Sequence, residues 1–290
     1  MKLLSDYLKE TFGCKVYKIA LNGGFTCPNR DGKIDTRGCI FCSAGGSGEF
    51  AGDVALSVTE QIEQGKNLVS KKIKDGKYIA YFQAYTGTYA SVNRLRDLFE
   101  EAIHHPDVVA LSVATRPDCL PDEVLDLLAE LNQIKPVWIE LGLQTIHEKT
   151  AKYIRRGYDL AVYDTAVKNL KSRGIKTIVH VILGLPGETE EDMLSTVEYV
   201  CNSGIQGIKL QLLHVLKDTD LAKDYELGLF EVLSEDEYIA LLQKCVAIIP
   251  EGVVIHRLTG DGDKKILIAP KWSENKKHVW NRIQREVLQS

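Results

Sequence analysis

Three cysteines crowd into sixteen residues of this chain: Cys27 and Cys39 are separated by eleven residues, and Cys39 and Cys42 by two. The pair Cys39-Ile40-Phe41-Cys42 can chelate one inorganic centre from a single turn, and Cys27 closes the loop onto it. A cubane [4Fe–4S] cluster normally takes four thiolates. Three leave one iron with an open position, where a second molecule can bind and react. Structural zinc is the alternative, with Cys14 as a fourth thiolate. Cys14, however, precedes the apolar run Val16–Leu21 and Cys27 follows it, and six extended residues separate the two ends by roughly 20 Å. A zinc ribbon also brings two Cys-x-x-Cys knuckles, and only one is present. Cys119, Cys201 and Cys245 stand alone and read as core or surface thiols, the last two within helices. Seven cysteines, an odd number with three of them clustered, do not resemble a secreted disulfide frame.

The elements that must position this loop alternate in type. Strands are expected at Val16–Leu21, Tyr78–Tyr85, Val108–Ala114, Val137–Leu143, Thr177–Leu183, Gly207–Leu213 and Val253–Leu258, each nearly continuous in apolar residues. Such runs suit a parallel sheet covered on both faces. Between them, a helix opens at the capping box Ser57-Val-Thr-Glu60 and ends near Asp75-Gly76. Further helices run over Ser91–His104, from Pro121 to about Asn132, from about Leu160 to Arg173, and over Glu190–Asn202. Another opens at the capping box Ser234-Glu-Asp-Glu237 and ends before Pro250. Met1–Glu10 reads as a short amphipathic helix, and a terminal helix starts near His278. Six strand–helix pairs in alternation imply right-handed crossovers. The expected fold is α/β, a partial (β/α)6 barrel in one domain. Its core spans about 16–250, with a short N-terminal helix and a basic β/α extension over about 251–290. In barrels of this kind chemistry collects at the carboxyl ends of the strands, and Cys27 follows the first strand on that face.

Placed after the first strand of an alternating barrel, Cys27-x11-Cys39-x2-Cys42 resembles the radical S-adenosylmethionine (SAM) superfamily, and the aromatic Phe41 before the last cysteine fits it too. That resemblance implies a [4Fe–4S] cluster on Cys27, Cys39 and Cys42, with SAM on the open iron. Reductive cleavage of SAM would give a 5′-deoxyadenosyl radical that takes a hydrogen atom from the substrate. Gln83-Ala-Tyr-Thr-Gly-Thr-Tyr89 occupies the place of the family's Gly-Gly-Glu turn, with one glycine and no glutamate. Gln83, Tyr85, Thr86 and Gly87 are therefore expected at the methionyl amine, through backbone carbonyls or the Thr86 and Thr88 hydroxyls. Thr115 and Arg116, in Thr115-Arg-Pro-Asp118, follow the third strand. Glu140 and Gln144, in Glu140-Leu-Gly-Leu-Gln-Thr145, would hydrogen-bond the SAM ribose and methionyl groups, and Arg156 suits the carboxylate. His180 opens His180-Val-Ile-Leu-Gly-Leu-Pro-Gly-Glu188, whose last five residues match the adenine-side loop. Each reading has a plainer rival: an Arg116–Asp118 loop salt bridge, a core polar network around Glu140, and a satisfied core histidine at 180.

Thr115-Arg-Pro-Asp118, Gly142-Leu-Gln-Thr145, Arg156-Gly157 and Gly184-Leu-Pro-Gly-Glu188 together resemble the branch holding the elongator catalytic subunit and the methylthiotransferases, over roughly Ala20 to Leu258. Within that branch the chain is most similar to the small, single-domain YtqA-like tRNA-modifying proteins. No cysteine-rich segment for a second cluster and no acetyl-transfer domain is expected here. The resemblance implies action on the tRNA wobble uridine, converting carboxymethylaminomethyl-(2-thio)uridine to the aminomethyl base. It also implies an external one-electron donor such as flavodoxin or ferredoxin. Lys209, His214 and Arg257, in or after the late strands with Gln211 and Thr219, are the candidates for the substrate side. The rival functions are radical chemistry on a small metabolite or peptide, and a non-catalytic iron–sulfur or zinc protein.

Composition sets outer bounds. The chain has 290 residues, 44% hydrophobic and 26% charged, which is ordinary for a folded protein. No apolar run reaches 18 residues, so no membrane helix is expected, and Met1–Glu10 lacks the apolar stretch of a signal peptide; a cytoplasmic location is expected. A net charge of −4 opposes a nonspecific nucleic-acid coat. From Lys264 to Ser290, however, seven basic residues face two acidic ones, which suits either a solvated tail or a phosphate-contacting edge. Trp272 and Trp280 in that tail could stack on nucleotides, and packing is the expected role for Trp280.

Overall fold

The computed structural model describes residues 1–70, 73, 76–260 and 262–289. A two-residue strand β1 (Lys2–Leu3) leads into α1 (Leu4–Phe12), and β2 (Val16–Leu21) precedes the cysteine loop. After α2 (Val58–Val69) come β3 (Lys77–Phe82), α3 (Val92–His104), β4 (Val108–Thr115) and α4 (Asp122–Leu131). β5 (Val137–Gln144), α5 (Glu148–Tyr153), α6 (Leu160–Ser172), β6 (Lys176–Leu183), α7 (Glu190–Asn202) and β7 (Gly207–Leu212) follow. The last elements are β8 (Val215–Leu216), α8 (Asp220–Glu226), α9 (Glu235–Ile248), β9 (Val254–Arg257), β10 (Leu267–Ala269) and α10 (Lys276–Glu286). Both expected capping boxes form, at Ser57–Glu60 and Ser234–Glu237, each satisfying backbone donors at a helix start. A third, Thr189 with Asp192, starts α7. The expected helix end at Asp75 falls outside the described residues, as does Asp261 after β9.

The strands pair in the order β1-β9-β7-β6-β5-β4-β3-β2, parallel throughout, and the sheet curls into a half-barrel. The six strands expected in the barrel are present as β2–β7, and two more extend it. β9 pairs with β7, and the segment Lys2–Leu3, expected as helix, instead adds an edge strand on β9. Propensity reads Met1–Glu10 as one amphipathic stretch, and only the free edge of β9 selects extended backbone for its first residues.

Parallel register decides which side chains face the barrel interior. Ala20 pairs with Tyr81, Tyr81 with Ser112, Ala114 with Glu140, Gly142 with His180, His180 with Lys209, and Lys209 with Arg257. Strand side chains alternate with period two, so Lys18, Tyr81, Ser112, Glu140, His180, Lys209 and Arg257 share the inner face. The outer face, including Leu21, Phe82, Leu111, Ile139, Val179 and Leu210, is buried against the helices in the main core. At the amino ends of the strands the interior is apolar: Leu8 of α1 packs with Val16, Ile79, Ala110, Trp138 and Ile178. Helix α1 thus plugs the bottom of the half-barrel, and the polar layer lies between that plug and the loops at the carboxyl ends.

The C-terminal segment packs more closely than a free basic tail would. Arg282 pairs with Glu235, Asp236 and Glu286, and Lys271 with Glu274. Trp272 donates to the Leu233 carbonyl at 3.0 Å and packs at a tilt against the Tyr238 ring. Trp280, expected to pack, is 41% exposed. Helix α10 turns Val279 and Ile283 inward instead.

Candidate active site

The cysteine loop is anchored from both sides. The Cys27 carbonyl accepts from the amides of Arg30 (2.8 Å) and Asp31 (3.1 Å), and the Cys42 amide closes on the Cys39 carbonyl at 3.0 Å. Asn29, almost wholly buried, donates through Nδ2 to the Arg155 carbonyl (2.7 Å) and toward Cys39 Sγ (3.4 Å). The Ile40 amide bonds the Ile154 carbonyl, and the Ile40 carbonyl accepts from Leu221. Arg30 donates to the carbonyls of Cys42 (2.9 Å) and Ser43 (2.6 Å). Gly38 is required where it stands: its φ is +77°, and a Cβ there would meet the Arg30 side chain at 2.9 Å.

All three thiols line one cleft at the carboxyl ends of the strands. Burial, with the neighbouring Cys42, pushes the Cys39 thiol up to about 12, and burial also raises Cys42, opposed by Arg30. Sulfur ligands on one tetrahedral zinc stand about 3.8 Å apart, given bonds near 2.3 Å. Among the described residues only Glu63, His105 and Asp107 bring three possible donor atoms within 4.8 Å of one another. The cysteines are wider spaced than one zinc ion needs. Three thiols in one cleft, not all within 4.8 Å of one another, suit a cluster whose ligands attach to different irons. Glu63, His105 and Asp107 form an ion-pair network with Lys66 and Lys77 away from this cleft.

The turn after β3 supports the cysteine loop. Strand β3 stops at Phe82, three residues earlier than expected, because Gln83 and Tyr85 turn toward residues 44–47. Gln83 Nε2 donates to the Ser47 carbonyl at 2.8 Å, and the Tyr85 hydroxyl to the Ala44 carbonyl at 2.6 Å. Tyr85 has φ +58°, and the Gly46 position, packed on its ring, would place a Cβ 2.4 Å from it. Gln83, Tyr85, Thr86, Thr115 and Phe41 all line the cleft. Gly87 is outside that lining. Its amide bonds the Ala114 carbonyl at 2.8 Å, and a Cβ would meet Val113 at 2.7 Å, so close approach to β4 explains the glycine.

Two arginines in the lining each make three hydrogen bonds to protein. Arg116 grips Asp118 bidentately (2.9 and 2.8 Å) and donates to the Arg156 carbonyl at 2.8 Å. Arg156, 1% exposed, donates to the carbonyls of Tyr158 (2.9 Å) and Thr145 (2.7 Å) and to Glu148 (3.0 Å). Both guanidiniums lie over the Tyr158 ring, at 5.2 and 4.7 Å from its centroid. Gln144, with φ +69°, turns its amide NH2 to the carbonyls of Leu143 and Gly142.

Glu140 is the hub of the inner polar layer. Wholly buried, it accepts from Lys18 and Ser112 on Oε1 and from His180 and Lys209 on Oε2, with Ser112 at 2.7 Å and His180 at 2.8 Å. Burial alone would raise this carboxyl, but the Lys18 and Lys209 ammoniums hold it well below the usual carboxylate range. Burial, with the Lys209 charge, brings His180 down to about 4, so its ring is neutral and donates from Nε2. Burial brings Lys209 down to about 7; Glu140 opposes that shift, while Lys18 and Arg257 add to it. The oxygens expected to meet the SAM ribose are thus already engaged by four side chains.

Lys209, Gln211 and Arg257 line the same cleft as the cysteines. His214 does not. It borders an adjoining groove with Gln211 and Arg257, held where Gly260 and Gly262 would otherwise place Cβ atoms 2.5 and 2.6 Å from its ring. Thr219 accepts from the Ala222 amide and caps α8. The turn over Gly184–Glu188 lies outside the cleft lining, with Glu188 bonded to Thr145. Residues the sequence reading passed over are Asn29, Arg30, Lys18, Tyr81 and Tyr158. A lone lysine at 18 within Val16-Tyr-Lys-Ile-Ala-Leu21 was the one available signal.

The family model described as the radical SAM superfamily matches residues 33–200, and its C-terminal domain matches 205–289. YtqA of Bacillus subtilis is 49% identical over 284 residues, covering 98% of this chain and 88% of the relative. A protein of Methanocaldococcus jannaschii named tRNA uridine(34) acetyltransferase is 25% identical over 272 residues, covering 79% of this chain and 49% of that one. Among solved structures, the archaeal Elp3 of Methanocaldococcus infernus superimposes with a TM-score of 0.68 at 18% identity, over 93% of this chain. This chain spans 63% of that Elp3 chain, and the likeness is one of fold. With three cysteines in one cleft at the carboxyl ends of a parallel half-barrel, the chain belongs to the radical SAM superfamily, whose members bind a [4Fe–4S] cluster and S-adenosylmethionine.

Proposed function

We propose that this protein modifies the wobble uridine of tRNA, removing the carboxymethyl group from carboxymethylaminomethyl-(2-thio)uridine. Loss of a hydrogen atom from the methylene beside the amine, and of one electron back to the cluster, would leave an imine that water cleaves to glyoxylate and the aminomethyl base. The observation that carries this reading is the cleft itself, which has three thiols and a cation-rich inner wall in one lining. Relatives named for uridine 34 of tRNA and for elongator protein 3 support the choice of substrate. When bound, the cluster and SAM supply a 5′-deoxyadenosyl radical that abstracts a hydrogen atom. Cys27, Cys39 and Cys42 would hold the cluster, and Asn29 and Arg30 would fix the loop that presents it. Gln83, Tyr85, Thr86 and Thr115 would border SAM. Arg116 and Arg156, each held by three hydrogen bonds to protein, would act by shaping that wall. The base would leave the anticodon stack to enter the half-barrel mouth, and an external flavodoxin- or ferredoxin-type donor would supply the electron.

The test compares wobble nucleosides from cells carrying the native chain with those carrying Cys39→Ala. The expected result is accumulation of the carboxymethylaminomethyl nucleoside in the variant. An unchanged profile, with 5′-deoxyadenosine still formed by the reconstituted native protein, would transfer the chemistry to a small metabolite or peptide. Bound zinc and no deoxyadenosine would end both readings.

A further inference from the structure

Lys209 is 4% exposed yet borders the cleft. An ammonium has three N–H donors. One goes to Glu140 and one to the Tyr81 hydroxyl at 3.3 Å, and the third has no protein acceptor among the described residues. Its carboxylate partner is also shared. Glu140 answers Lys18 as well, and Arg257 stands in register beside Lys209 on β9. Around Lys209, then, β2 contributes Lys18, β3 Tyr81, β5 Glu140, β6 the neutral His180, and β9 Arg257. One carboxylate is shared by two ammoniums. Elsewhere in the lining, Arg30, Arg116 and Arg156 already make two or three hydrogen bonds each, to main-chain carbonyls, Asp118 and Glu148.

We propose that the Lys209 ammonium receives a carboxylate of the substrate, and so selects an acid over its uncharged counterpart. The inference rests on the reading above, in which the substituent to be cleaved ends in a carboxylate. A buried ammonium with an unmade donor and a half-share of one counter-ion is stabilised by an incoming anion, because the pair forms where water screens it least. The same linkage has a second consequence. Burial leaves Lys209 near 7, so a bound carboxylate draws a proton onto it at pH 8, and binding is accompanied by proton uptake.

The experiment uses the reconstituted holoprotein without reductant and three anticodon stem-loop RNAs. Their wobble uridines carry carboxymethylaminomethyl, its carboxamide, or no substituent. Binding is read by fluorescence anisotropy, and proton uptake by calorimetry in buffers of different ionisation enthalpy. The acid should bind about tenfold or more tightly than the amide, the size of one charge-assisted hydrogen bond, with proton uptake at pH 8 for the acid alone. Lys209→Met should erase the preference and the uptake together, and Lys209→Arg should restore part of the preference. Lys209→Gln carries the same comparison if the Met variant does not fold. Equal affinity for acid and amide on the native protein would overturn the inference while leaving the wobble reading intact. So would a Met variant that keeps the preference, or one that loses SAM affinity and keeps it. Equal affinity for all three RNAs and an unrelated hairpin would overturn both.

Discussion

Replacing Glu140 by glutamine should destabilise the protein in a pH-dependent way. The amide keeps the shape, but only one of its two positions can still accept, so it serves either Ser112 or His180, and it removes the negative charge shared by Lys18 and Lys209. Lys18 retains a route to water. Lys209, 4% exposed at the cleft wall, has far less, and it responds by giving up its proton more readily. In the native protein Glu140 raises the Lys209 value, which stands near 7; without Glu140 that value falls. A group with the higher folded-state value contributes stability at low pH, and that contribution disappears as pH rises through 7. At pH 8 the native Lys209 is already largely neutral, so the variant loses the Lys18 pairing and the weakened hydrogen bonds, about 1–3 kcal/mol. At pH 6 the native ammonium is charged and the variant's less so, which adds up to about 1.4 kcal/mol, the one-unit span between 7 and pH 6. The sum at pH 6 approaches the roughly 3–5 kcal/mol typical of a broken buried pair. Urea unfolding followed by tryptophan fluorescence, with Trp138 close to Lys18, measures the difference at both pH values. A loss of equal size at pH 6 and 8, or a larger one at pH 8, would refute the charge-sharing account of this layer.

Arg156→Lys should cost about 2–4 kcal/mol, because a single ammonium cannot reach the Thr145 and Tyr158 carbonyls and Glu148 together. Thermal unfolding should show the lower midpoint; reduced SAM affinity at an unchanged midpoint would instead make Arg156 a SAM ligand. Gly87→Ala should lose about 1–3 kcal/mol through contacts of 2.7 and 2.8 Å with Val113 and the Ala114 carbonyl. Gly252→Ala, with nothing within 4 Å, should be close to neutral in the same urea titration.

The chemistry of the cysteine loop was legible in the chain itself, because ligand type and spacing are local: Cys39-Ile-Phe-Cys42 is a chelate wherever it folds. The alternation of apolar runs and capped helices likewise fixed a parallel α/β fold, since burial on both faces forces continuous apolar strands. Tertiary structure decided the partners. Glu140 and Arg156 carry the right groups for a cofactor, and sequence has no means to say that their oxygens and nitrogens are already taken. Lys18, Tyr81, Glu140, His180 and Lys209 come from five separate strands, and only parallel register turns them to one interior face. The edge strand at Lys2–Leu3 has the same origin, because its extended backbone is selected by β9, some 250 residues later in the chain. Residue types and spacings named the redox centre; the register of the sheet determined which ammonium stands beside it with a donor to spare.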